Sequence, residues 1–320
     1  MWEVLETAKD VVQKSRQVRV DQEPLVRFSR NLHEAGTEVP PWDHLYHYCD
    51  GGKDTVSYLL VLDCINFCFW PLPGNARWEI EYESRTLSGY YALAASLTRA
   101  LKSGIPITSA EYLAELSKDE LKDILAGRGD LQLLDQRLEI LRELGKALVQ
   151  DYNGKAHRMV EAAGNSAITL ARLLAEKLAS FRDIASYQGR KVFFYKRAQI
   201  LAADLSGAFD GKAWGSFTDM DKLTSFADYK LPQVLRHLGV LRYAPALARR
   251  VDQMELIDPG SPEEVEIRAN TLWAIESIRQ ELEHKGKKLN AYEIDWILWN
   301  LGQRQDFKIK PYHRTVTIFY

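Results

Sequence analysis

Phe226-Ala227-Asp228-Tyr229-Lys230-Leu231-Pro232-Gln233-Val234-Leu235-Arg236-His237-Leu238-Gly239-Val240-Leu241 reads as an apolar helix with a carboxylate at its entrance. Leu231, Val234, Leu235 and Leu238 fall at three- and four-residue spacing, Gly239 ends the run, and Pro245 opens another helix shortly after. Asp228 stands just ahead of this helix, beside Phe226 and Tyr229. A carboxylate at an apolar, aromatic wall can stabilise developing positive charge. The same side chain can cap the helix that follows, and the two roles are compatible.

Helical periodicity extends in both directions. Leu134, Leu138, Leu141, Leu144 and Leu148 make one apolar face across Leu131 to Val149. Ala167 to Leu178 follows Asn165-Ser166, either of which can cap it. Ser261-Pro262-Glu263-Glu264 combines a cap, a first-turn proline and acids favoured by the helix dipole, so a helix is predicted to run to about Glu283 and stop near Gly286. Asn290 starts another, carrying Trp296 and Trp299. Strand signals are confined to Arg77 to Glu83 and Thr315 to Tyr320, short pieces suited to sheet edges. The expected fold is mainly α: a single helical domain over residues 1–320 with minor short strands.

The chain has 320 residues, 46% hydrophobic and 27% charged, enough for a substantial core. Its net charge of −2 is unlike the broad basic footprint of a duplex-binding protein, while a few local cations suffice for one phosphate. The three cysteines, Cys49, Cys64 and Cys68, do not make a disulfide framework and fit a reducing cytoplasm. The start of the chain lacks a basic region followed by an apolar core, and Tyr58 to Trp70 is too short to span a bilayer. A cytoplasmic protein with no membrane partner is expected.

Asp63-Cys64-Ile65-Asn66-Phe67-Cys68-Phe69-Trp70, read as a helix, puts Asp63, Asn66 and Phe67 on one face, with Trp70 near Phe67. Rings for the faces and Asn and Asp for the edge suit a planar base, although a core helix with internally bonded polar groups has the same pattern. Lys196 and Arg197, inside Phe193 to Leu201, occupy a helix apolar on both sides. A buried lysine there needs a partner or an anionic ligand, although one of the cations can instead be an ordinary ion-pair or snorkelling residue. His44, His47, Cys49, Cys64 and Cys68 lack any compact ligand motif; buried thiols and surface histidines are expected, with no metal and no cofactor. Near the C-terminus, Asp295 lies beside the tryptophans, and His313 and Arg314 offer further phosphate or sugar contacts.

The chain resembles the queuosine salvage family, the queuosine 5′-phosphate N-glycosylases that release queuine. The blocks carrying the resemblance are Leu62 to Trp70, Gly104 to Thr108, Gly189 to Leu201, Phe226 to Val234, Glu264 to Arg268 and Pro311 to Tyr320, in order along most of the chain. It implies an all-α fold similar to helix-hairpin-helix DNA glycosylases, with a small nucleotide as substrate and no stable nucleic-acid complex. It also implies Asp228 as the catalytic carboxylate and Lys196 as a ligand of the sugar phosphate. Asp63, Asn66, Phe67 and Trp70 would form the base pocket, with Tyr229 as a further substrate contact and Arg197 or His313 beside the phosphate. Queuine's secondary amine is expected to be cationic near neutral pH, with Asp63 or Asp295 as its partner. The competing expectations are a DNA base-excision glycosylase and a non-catalytic binder of queuine or modified tRNA.

Overall fold

Pro262–His284 is the longest helix among the described residues, 2–304 and 310–320, of this computed structural model. Ser261 Oγ accepts from Glu264 N at 3.3 Å, and Pro262 stands in the first turn, as the sequence signal requires. The helix is buried on most sides and so serves two packing clusters. Val265, Ala269 and Leu272 join one cluster with helices Glu3–Lys14, Lys53–Cys64, Leu134–Tyr152, Ala167–Lys177 and Lys196–Ala208. Ile267, Ala274, Ile275, Ile278 and Leu282 join the other with Gln22–Glu34, Lys230–His237, Pro245–Asp252 and Ala291–Leu301.

The strands described are short antiparallel pairs: Val18–Val20 with Leu241–Tyr243, Glu79–Tyr82 with Arg85–Ser88, and Ile184–Tyr187 with Arg190–Phe193. The mainly α expectation holds, as do the starts at Ala167, Pro262 and Ala291 and the stop at Gly239, whose φ of +80° suits glycine. Among the described residues no helix is long and apolar enough to cross a membrane.

Three local expectations need correction. The helix predicted through Trp70 ends at Cys64, because two buried arginines take the carbonyls that a helix would use. Arg197 donates to the carbonyls of Asp63 and Cys64, and Arg137 to those of Ile65 and Phe67. Phe193 belongs to a strand, and the following helix begins only at Lys196, after Tyr195 at φ +48°. Thr315 to Tyr320 pairs with no strand; only Arg314 makes a bridge, to Leu256, and Tyr320 O then accepts from Cys68 N at 3.0 Å.

A further buried arginine links the elements that carry the site. Arg268, 2% exposed, makes a bidentate pair with Asp183 at 2.8 and 2.6 Å and donates through Nε to Ala227 O at 2.9 Å. Asp183 Oδ2 also accepts from Lys196 N at 3.2 Å. The rings of Phe194 and Tyr320 lie 3.8 and 4.4 Å from the guanidinium carbon. Replacing Arg268 with Met strands a buried Asp183, so urea denaturation should show a loss of about 3–5 kcal/mol. A loss under about 0.5 kcal/mol, the range of an ordinary surface change, would contradict this role.

Candidate active site

A cavity of about 660 Å³, within the size range of small-molecule sites, opens beside the first packing cluster. Its wall is largely aromatic, with Phe67, Trp70, Tyr90, Phe226, Tyr229 and Trp296 among the rings. Asp228 enters from the residues preceding helix Lys230–His237. Its Oδ1 accepts from Lys230 N at 2.8 Å and Leu231 N at 2.9 Å, which is the capping role. Its second oxygen takes no hydrogen bond from the described residues, so one oxygen fixes the side chain and the other remains for a ligand.

Lys196 begins helix Lys196–Ala208 and is buried in the cavity wall, with Nζ 3.5 Å from Asn66 O. Burial pushes its ammonium below the usual lysine range, opposed first by the charge of Asp228 and further by Asp63 and Asp295. Burial likewise raises Asp228, opposed mainly by Lys196 and then by the two capping N–H groups. Asp295 is pushed well above the carboxylate range by burial and by the neighbouring charge of Asp228, although its Oδ2 accepts from Phe226 N at 2.6 Å. Two carboxylates in one cavity thus differ in proton affinity: Asp228 has the lysine, and Asp295 has the stronger tendency to hold a proton.

The other predicted residues divide. Asn66, Phe67, Trp70 and Tyr229 line the cavity, and Trp70 Nε1 is buried without an acceptor among the described residues. Asp63 does not line it; its Oδ1 accepts from Asn66 Nδ2 at 3.4 Å, which places it behind the wall. The irregular backbone after Cys64, with Cys68 at φ +47°, rather than a helical face brings Asn66, Phe67 and Trp70 together. His313 is also outside the wall: it is 1% exposed, meets Tyr320 Oη at 3.2 Å, and is held neutral by burial, with its pKa lowered to about 3. Arg197 is committed to backbone carbonyls and does not face the cavity.

Several cavity residues escaped the sequence reading. Asp204 lies on the Lys196 helix, accepts from Trp42 Nε1 at 3.1 Å and lies 3.2 Å from Tyr90 Oη. His47 Nε2 meets Tyr90 Oη at 2.8 Å, so this histidine is buried in the wall rather than on the surface. Arg77 and Lys230 also line the cavity. Continuing the Lys196 face by two steps of four residues, through Ile200 to Asp204, was the signal available. No group of three or more His, Cys, Asp or Glu suited to a metal occurs among the described residues.

The fold and site define a mainly helical protein with a carboxylate and a lysine in the wall of one aromatic cavity. A family model described as queuosine salvage protein matches residues 46–320. Relatives named queuosine 5′-phosphate N-glycosylase/hydrolase include one from Sphaerobacter thermophilus, 49% identical over 317 residues, covering 99% of this chain and 97% of the relative. Another, from Mus musculus, is 37% identical over 332 residues, covering 98% of each chain. A third, from Schizosaccharomyces pombe, is 32% identical over 326 residues, covering 96% and 93%. The chain belongs to the queuosine salvage protein family.

Burial raises Asp204 from 3.8 to about 6, so the folded state binds its proton more tightly than the unfolded chain. That contribution is fully present below the unfolded pKa and is lost as pH rises through the folded one. Asp204→Asn should therefore gain stability relative to the wild type between about pH 4 and 7, by on the order of 2 kcal/mol in urea denaturation. A stability difference that does not change with pH would contradict it.

Proposed function

We propose that this chain hydrolyses the N-glycosidic bond of queuosine 5′-phosphate, releasing queuine and ribose 5-phosphate. The observation that carries the reading is Asp228, capped through one oxygen, with the other open to an aromatic cavity beside Lys196. The reaction class named for the relatives fits that arrangement.

Breaking the C1′–N bond leaves the electron pair on the base and positive charge on the ribose. The open oxygen of Asp228 either attacks C1′, giving a glycosyl ester that water then hydrolyses to ribose 5-phosphate and the free carboxylate, or stabilises the cation and takes the proton of the water whose oxygen bonds to C1′. Lys196 favours the ionised form that either step needs. A 7-deazapurine has no N7 to protonate, so the leaving base needs a proton or hydrogen bond elsewhere. Asp295, with its strongly raised proton affinity, is the cavity group suited to supply it.

For the 5′-phosphate, Arg77 and Lys230 are better suited than Lys196. Both line the cavity, Lys230 feels the charges of Asp228 and Arg77, and neither forms an ion pair among the described residues. Two mutually repelling cations beside Asp228 suit an anion. Lys196 is buried, with Asp228 as its strongest favourable charge.

Chromatography of wild-type reactions with queuosine 5′-phosphate should show queuine. Asp228→Asn keeps a capping oxygen and should remain folded while losing at least about a thousandfold in turnover. Binding of queuine without release by the wild type would instead support a binding protein. Arg77→Met with Lys230→Met should lower kcat/KM for the nucleotide about tenfold or more and leave the free nucleoside little changed. Equal losses on both substrates would remove those cations from the phosphate site.

A further inference from the structure

Asp204 is a carboxylate in the cavity wall that the hydrolytic chemistry does not use. Lys196, Ile200 and Asp204 all line the cavity from one helix, so that helix carries the wall about 12 Å from the lysine to this acid, at 1.5 Å per residue. The sugar belongs at Asp228, whose charge is the strongest favourable one on Lys196. A base attached there has the stretch toward Asp204 beside it.

The surroundings of Asp204 are specific. Neither neighbour of its oxygens is a cation: Trp42 Nε1 donates to Oδ1 at 3.1 Å and Tyr90 Oη lies 3.2 Å from Oδ2, which fixes its orientation without neutralising it. It forms no ion pair with a cation among the described residues. The next group outward, His47, is kept neutral near pH 7 by burial, its pKa lowered to about 4. Its Nδ1–H donates to Asp43 O at 2.6 Å, so Nε2 accepts the Tyr90 hydroxyl at 2.8 Å and Asp204 Oδ2 is left open to another donor. Trp42 is itself held in place: its ring meets His47 at 4.7 Å between centroids, and its side chain packs where a Cβ on Gly207 would come within 2.7 Å. A fixed carboxylate among electron-rich rings is chemistry that selects an ammonium group.

We propose that Asp204, held by Trp42 and Tyr90, is the counter-ion for the protonated secondary amine on the substrate's base and sets selectivity for bases that carry it. This assignment rests on the hydrolase reading above. It makes Asp204 a specificity residue rather than a participant in bond cleavage.

The test compares queuosine 5′-phosphate with its ether analogue, in which oxygen replaces the amine nitrogen and the shape is kept without the charge. The wild type should process the amine at least about thirtyfold better in kcat/KM. In Asp204→Asn the two substrates should come within about threefold of each other, chiefly through loss on the amine. Equal wild-type kcat/KM for the two substrates would overturn the proposal, even if the variant fails to fold. An Asp204→Asn variant that loses the same factor on both would also overturn it, assigning Asp204 to the common part of the base or to structure. Release of base from neither substrate by the wild type would instead defeat the hydrolase reading itself.

Discussion

The buried pair between Arg268 and Asp183 is the constraint on which the site depends. Asp183 holds the backbone N–H of Lys196 at the start of one helix, while Arg268 holds the carbonyl of Ala227, next to Asp228. Asp228 and Lys196 come from separate stretches of chain, and this one ion pair ties both. Such a pair contributes little net stability over an apolar replacement, yet losing one partner is costly. Its value here is geometric: it fixes the starts of two stretches whose acidic and basic side chains line one cavity.

Arg137 and Arg197 act in a similar way on the other wall. Their guanidinium groups take the carbonyls of residues 63, 64, 65 and 67, so this stretch can leave the helix and run irregularly through the interior with those acceptors paired. The irregular path places Asn66, Phe67 and Trp70 in the cavity wall. Burial then sets the electrostatics: acids shift upward and Lys196 downward, each limited by its neighbours. The cavity is apolar enough to make charge expensive and supplies Lys196 where Asp228 needs to stay ionised.

Much of this was legible in the chain. Helix caps such as Ser166 and Ser261 and the leucine spacing after Leu134 are local signals, and the helices followed them. Asp228 was readable both as a cap and as a carboxylate at an aromatic wall. The path of residues 65 to 70 was not, because it depends on arginines more than sixty positions away. The burial of His313 and the exclusion of Asp63 from the cavity are likewise tertiary outcomes. Asp204 went unread because Trp42 and Tyr90, which give it meaning, are remote in sequence.

For Asp228 to act on the glycosidic bond, its open oxygen must face the glycosidic carbon. A crystal structure of the Asp228→Asn protein with uncleaved queuosine 5′-phosphate measures this directly. C1′ is expected within about 3–3.5 Å of the uncapped side-chain atom of residue 228, the separation of a near-attack geometry. A nucleotide bound in the cavity with C1′ turned away from residue 228, and the aromatic wall contacting only the sugar, would contradict it.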